Sequence, residues 1–195
     1  ITQKGGFTMI YTFKDLLISR SNPFEINLEL EIRKLFERNT DYRYEIRKND
    51  DKFGYDLQIY RYFINGGDWV RKDIAYIELE VSEKWVDEYP KYWKDYSFLA
   101  RKVYKYENGS FINELKQNAE KTIYVIFNKN ITDCICRDIK TISTFETKSR
   151  GVMNNTYHDT YLTINYQNSK IIRGIDNVLG YCNSYFNEIC ESISN

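Results

Sequence analysis

The stretch "DIAYIELEVSEKW", residues 73–85, carries two patterns at once. Ile74, Ala75, Ile77, Leu79 and Val81 mark it as a β-strand. Residues two apart in a strand point to the same side. Ala75, Ile77, Leu79 and Val81 therefore form a wholly apolar face, which is core. Ile74, Tyr76, Glu78, Glu80 and Ser82 form the other face, so two carboxylates stand side by side where their repulsion costs energy. That second face must look at water, a groove or a metal ion.

The preceding segment supplies a third carboxylate. "FGYDLQIYRYF" (53–63) alternates as a strand, and Asn65-Gly66-Gly67-Asp68 is a turn, so 71–82 follows as its hairpin partner. Leu57 and Ile59 point one way, Asp56 and Gln58 the other. Pairing brings Asp56 toward Glu78 and Glu80. Three clustered carboxylates raise one another's pKa. A divalent cation relieves that repulsion, and hard oxygen ligands suit Mg²⁺ or Mn²⁺. A fourth oxygen could come from Glu25, Glu29 or Glu31 on a helix packed across the sheet. The alternative is a solvated strand face whose glutamates are neutralised by Lys and Arg across the sheet.

Outward from this hairpin the order of elements is legible. "SNPFEINLELEIRKLFERN" reads as a helix, capped by Ser21 or Asn22, with Pro23 in its first turn and Leu28, Ile32, Leu35 and Phe36 as its buried stripe. "YRYEIRK" (42–48) alternates as a strand. After the hairpin come an irregular or helical crossover, a buried strand "KTIYVIFN" (121–128), a turn, and a strand "ITDCICRD" (131–138). "DTYLTINY" (159–166) is a short strand, and 174–193 a closing amphipathic helix with Val178, Cys182, Phe186, Ile189 and Ile193 on one face. This predicts a mixed sheet of about five strands flanked by helices, with 74–82 parallel to 122–127 through the crossover.

Composition narrows the classes. A chain of 195 residues holds one ordinary domain, assigned to 9–195. Lys4-Gly5-Gly6 can be encoded by a purine-rich ribosome-binding sequence upstream of the Met9 codon. Residues 1–8 are therefore expected to be a non-native or mis-assigned leader of a bacterial or phage gene. The formal net charge is zero, which gives no global argument for a nucleic-acid, membrane or acidic partner. No run of about 18 apolar residues spans a membrane, and no secretory signal stands at the N-terminus. Cys134, Cys136, Cys182 and Cys190 lack zinc-site spacing and are expected to be reduced and structural in a cytoplasmic protein. His158 is the single histidine, which excludes two-histidine metal sites.

The segments "GYDLQIYRYF" and "IAYIELEVS" together resemble the core of the PD-(D/E)XK nucleases, the restriction-endonuclease-like superfamily. "SFLARK" (97–102) and "TIYVIFNKNITDCICRD" (122–138) extend the likeness, roughly from Phe24 to Asp138. The resemblance implies an α/β restriction-endonuclease-like core. It matches Asp56 to the family's Asp, Glu78 to its Asp/Glu and Glu29 to the acid on its first helix. Glu80 falls where the family usually has lysine, so Lys102 on the crossover, or Lys84, would supply that charge. The implied activity is Mg²⁺-dependent hydrolysis of phosphodiesters in DNA, with Mn²⁺ possible, of the restriction, repair or mobile-element kind. Asp56, Glu78, Glu80 and Glu29 are the implied metal ligands. The implied partner is DNA, RNA not being excluded, and a homodimer is compatible with cutting both strands. A catalytically inactive nucleic-acid-binding module on the same fold is the alternative.

Nucleic-acid contacts are expected from two segments. Residues 83–106 interleave cations, including Lys94, Arg101 and Lys102, with Trp85, Tyr89, Tyr92, Trp93 and Tyr96. Those cations can bind phosphates and the rings can stack on unpaired bases, or the rings can pack on the sheet. Lys148 and Arg150 lie in "TFETKSRGVMNN" (144–155), read as a loop.

Overall fold

The structure, a computed structural model, describes residues 43–49, 54–107, 110–151, 158–168 and 170–194. The predicted first helix, with Glu25, Glu29 and Glu31, lies outside the described residues, as do residues 1–8.

Strand alternation builds the first three elements. β1 (Arg43–Lys48), β2 (Leu57–Asn65) and β3 (Asp68–Ser82) form an antiparallel meander. The β2–β3 turn places Gly66 at φ 62 and Gly67 at φ 94. A two-residue hairpin loop whose twist matches its strands asks for positive φ, which glycine adopts without steric cost. The crossover then runs through β4 (Asp95–Leu99), a four-residue α1 (Ala100–Val103), β5 (Tyr104–Glu107), β6 (Ser110–Leu115) and a 3-10 turn at Ala119–Lys121. It delivers β7 (Thr122–Asn128), which lies parallel to β3 in the register Glu78↔Tyr124 and Glu80↔Ile126. β8 (Cys134–Asp138), the short α2 (Ile139–Ile142), β9 (Glu146–Gly151), β10 (His158–Asn165), β11 (Ile172–Arg173) and α3 (Ile175–Ser194) complete the described chain.

The architecture is mixed α/β. The main sheet has six strands in the order β1-β2-β3-β7-β8-β11, with the predicted parallel step at β3–β7. Every residue of β7 is buried, because this central strand is covered on both sides, and its sequence is accordingly a near-continuous apolar run. On one face, Leu57, Ile59, Ala75, Ile77, Leu79, Val125 and Phe127 pack against Val178, Cys182 and Phe186 of α3. The predicted apolar half of β3 and the predicted stripe of the closing helix meet here. Cys134, Cys136 and Cys182 are free and buried, in line with structural thiols.

The other face departs from the expectation of flanking helices. A second sheet, ordered β4-β10-β9, covers it together with the two-stranded β5–β6 sheet and the short helices. Residues 159–166 form a strand as predicted, but in this second sheet. The stretch 144–155, read as a loop, contains strand β9 paired to β10. "ETKSRG" has no apolar alternation, because an edge strand with solvent beside it needs none. The aromatic rings of the crossover fill the space between the sheets: Trp85, Tyr89, Tyr96 and Phe98 are buried beside Tyr124 and Ile126. Trp85 and Tyr89 meet edge-on at 5.0 Å, a favourable ring geometry. The base-stacking expectation therefore fails for Trp85, Tyr89 and Tyr96, whereas Tyr92 is 79% exposed. No described helix is long and apolar enough to cross a membrane.

Ile77 is fully buried between β2 and β7 on the α3 side. Ile77→Ala should cost about 2–5 kcal/mol through lost burial and a residual cavity. The urea midpoint measures this, and a loss below about 1 kcal/mol would contradict the packing.

Candidate active site

The polar face of β3 is where the two sheets fail to close on apolar contact alone. Glu78 stands on this face and is only 3% exposed. A carboxylate so buried needs a partner or a proton. Both its neighbours in space come from the folding of distant segments.

Asp56 arrives through register. Leu57 pairs with Ile77, so the residue before β2 stands beside Glu78. Its Oδ2 accepts the Leu79 backbone N–H at 2.7 Å. The side chain thereby satisfies a strand donor just past the end of the β2 ladder. Lys102 arrives through α1. Ala100 and Val103 of that turn are buried, which sends Lys102 toward β3 and Arg101 outward. The Lys102 ammonium lies 2.5 Å from Glu78 Oε1 and donates to the Leu79 carbonyl at 2.7 Å. Asp56 Oδ2 is 4.0 Å away. Two carboxylates and one carbonyl thus converge on a single positive charge.

Glu80 is engaged separately. It accepts a hydrogen bond from Tyr124, a fully buried ring on β7. Burial, and then the charges of Glu80 and Glu78, push the Tyr124 hydroxyl well up, so it stays a donor. Two further groups, missed in the sequence, complete the surroundings. Lys116 follows β6 and sits half-buried with its ammonium 5.4 Å from the centre of the Tyr55 ring. The Tyr55 hydroxyl is buried close to Thr122 and makes no well-formed hydrogen bond among the described residues. Burial, joined by the Glu78 charge, pushes it above its ordinary value. Burial lowers the Lys116 ammonium, with Glu78 opposing. A lysine ending the alternating "SFINEL" was the one available signal for this position.

Burial drives the Glu78 pKa up; Lys102 pulls it back and Asp56 pushes it further, leaving it at about 7. For Lys102 burial acts downward, but Glu78, Asp56 and Glu80 outweigh it and hold the ammonium above its ordinary value. The pair is a charged one whose acid member titrates near neutrality.

The remaining expected residues scatter. Lys84 is exposed in the turn after β3, and Lys94 is exposed before β4. Arg101 is about half exposed, 3.8 Å from Asp159. Lys148 is tied to Asp95 at 3.0 Å and Glu146 at 3.3 Å, bracing the second sheet. The side chain of Arg150 lies outside the described residues. A separate cleft of about 570 Å³, lined by Arg137, Asp138, Tyr181 and Tyr185 among others, lies between β8 and α3. Its groups answer one another: Tyr181 donates to Asp138 at 3.0 Å and Arg137 lies over the Tyr181 ring.

Whether a divalent cation fits turns on the donor set. Among the described residues no three His, Cys, Asp or Glu side chains close into a ligand group. Asp56 and Glu78 with the Leu79 carbonyl are three hard oxygens already gathered on one cation, and hard oxygens are what Mg²⁺ takes. The set fits, provided Lys102 moves aside. Comparison with protein-family models, curated proteins and solved structures returns no match to this chain.

The raised Glu78 pKa has a signed consequence. From the ordinary carboxylate value of 4.5 up to about 7, the folded chain keeps a proton that the unfolded chain releases. Stability contributed by this group is full below that window and falls as pH rises through it, by about 3 kcal/mol. Urea unfolding from pH 4 to 8 should show wild type losing stability relative to Glu78→Gln across this window; parallel curves would refute the assignment.

Proposed function

We propose that this chain is a Mg²⁺-dependent nuclease, hydrolysing phosphodiester bonds in DNA, with a restriction-endonuclease-like core. One observation carries the reading: Asp56, Glu78 and the Leu79 carbonyl converge on a single cation position at the open end of the β2–β3 pair. The fold supports it, since Asp precedes the second strand of a meander, Glu-x-Glu lies on the third, and the next sheet neighbour is a parallel strand. Bound at that position, Mg²⁺ or Mn²⁺ would polarise a phosphodiester and lower the pKa of a water. The chain's own residues do the rest. Asp56 and Glu78 hold the cation position, Tyr124 fixes Glu80 at its edge, and Lys102 carries the positive charge when no divalent ion is there.

The second reading is a nucleic-acid-binding module without chemistry. It is favoured by one feature: the Lys102 ammonium already neutralises the pair, so the arrangement is complete without a metal.

The assay uses linear, nicked and branched DNA, and RNA, with Mg²⁺ or Mn²⁺. The nuclease reading expects cleavage that Asp56→Ala and Glu78→Ala each reduce by at least about 100-fold, a loss of roughly 3 kcal/mol in transition-state stabilisation. Binding without cleavage across all substrates and metals would leave the binding module in its place.

A further inference from the structure

Two lysines come to this end of β2 and β3 from different elements, Lys102 onto Glu78 and Lys116 over the ring of Tyr55, the neighbour of Asp56, and their circumstances differ. The Lys102 ammonium is fully used, held by Glu78 at 2.5 Å and the Leu79 carbonyl at 2.7 Å. Lys116 lies close enough to feel Glu78, Asp56, Lys102 and Arg101. Yet its ammonium makes no ion pair or hydrogen bond with a described residue. A half-buried ammonium has three donors and a desolvation cost to offset. Among the described residues, only the face of the Tyr55 ring, 5.4 Å away, supports it.

The backbone holds this lysine in place. The Lys116 N–H donates to the Val103 carbonyl at 3.1 Å, and its own carbonyl accepts from Ala119 at 3.2 Å. The β5–β6 hairpin is thereby fastened to α1, the same turn that delivers Lys102. With its backbone fixed and no acceptor for its ammonium among the described residues, Lys116 is set up to receive one. The charge balance says which kind. Asp56, Glu78 and Glu80 face Lys102 and Lys116, Arg101 being turned out to Asp159, so a divalent cation at the carboxylates would leave the site positive. The complementary ligand is an anion presenting oxygen to an ammonium. Lysine binds phosphate as a compact point charge, without the planar fork that carboxylate recognition by arginine uses.

We propose that Lys116 is the phosphate-binding residue of this site: its ammonium, carried by the β5–β6 hairpin over Tyr55, takes a non-bridging oxygen of the nucleic-acid backbone. Lys102 is then the residue that holds Glu78 in place until a divalent ion takes its position. This rests on the nuclease reading, and the hairpin becomes a substrate-facing element within it.

The test measures binding alone. Fluorescent duplex and single-stranded DNA, and RNA, are titrated at several salt concentrations with Ca²⁺, a hard oxygen-seeking cation, in place of Mg²⁺, and gels confirm that the nucleic acid stays intact, so that cleavage plays no part. Lys116→Met should weaken binding about tenfold at moderate salt and reduce the slope of log Kd against log salt by about one. Lys116→Arg should restore most of both, and Lys140→Met, an exposed lysine on α2, should change neither. A matching thermal midpoint for Lys116→Met and wild type shows that the variant is folded; if Met unfolds it, Lys116→Gln takes its place. Wild-type binding with unchanged affinity and slope in the variant overturns the assignment of Lys116 alone. Failure of wild type to bind any of the three nucleic acids overturns the nucleic-acid reading itself.

Discussion

The Lys102 ammonium, wedged between the Glu78 carboxylate and the Leu79 carbonyl, is the contact on which the two halves of this molecule turn. Removing two charges from water costs on the order of several kcal/mol per ion, and only close geometry with further hydrogen bonds compensates. That geometry demands that α1 sit against the polar face of β3. Once it does, β4 lies beside β10, the β5–β6 hairpin closes over Tyr55, and aromatic rings fill what remains between the sheets. A solvent-exposed glutamate would have required none of this.

The two glutamates of β3, alike in sequence, receive different treatment. Glu78 is buried and paired with a cation; Glu80 is partly exposed and held by a tyrosine hydroxyl. Asp56 spends one oxygen on a backbone amide and still contributes to the field at Lys102. Repulsion along the strand is thus relieved by three different partners. The result is a small pocket of oxygens with one cation in it, and it is this arrangement that makes metal-assisted phosphodiester chemistry the favoured proposal.

The sequence carried much of this and misdirected some of it. Period-two alternation identified β1, β2 and β3, and the parallel step to β7 followed from a buried strand reached through a long crossover. The core face of β3 was legible because burial and apolarity coincide there. The content of the crossover was not. Tyr89 and Tyr96 look, by type and by their lysine neighbours, like a stacking surface, but ring burial depends on β10, which lies far along the chain. Lys148 looked free because its partner Asp95 is on a different strand. Lys116 carried only one faint signal, its place after an alternating strand, which says nothing of the carboxylates it faces.

By itself, the sequence determined the strands of the β1–β3 meander and β7–β8, the core face of β3, and that Asp56 comes toward Glu78 once β2 and β3 pair. The strands and their faces follow from local spacing, because the pleat repeats every two residues; the register beside Asp56 also needs a one-residue shift between Ile59 and Tyr60, which the turn does not set. Only the tertiary structure decided which cations meet the carboxylates and which of them are left over. Charge pairing across layers is set by where a four-residue helix and a hairpin dock, and docking is chosen by the packing of rings contributed from strands remote in sequence. Lys84, near in the chain, stays in solvent, while Lys102, far from Glu78 in sequence, stands beside it, and Lys116 stands over Tyr55.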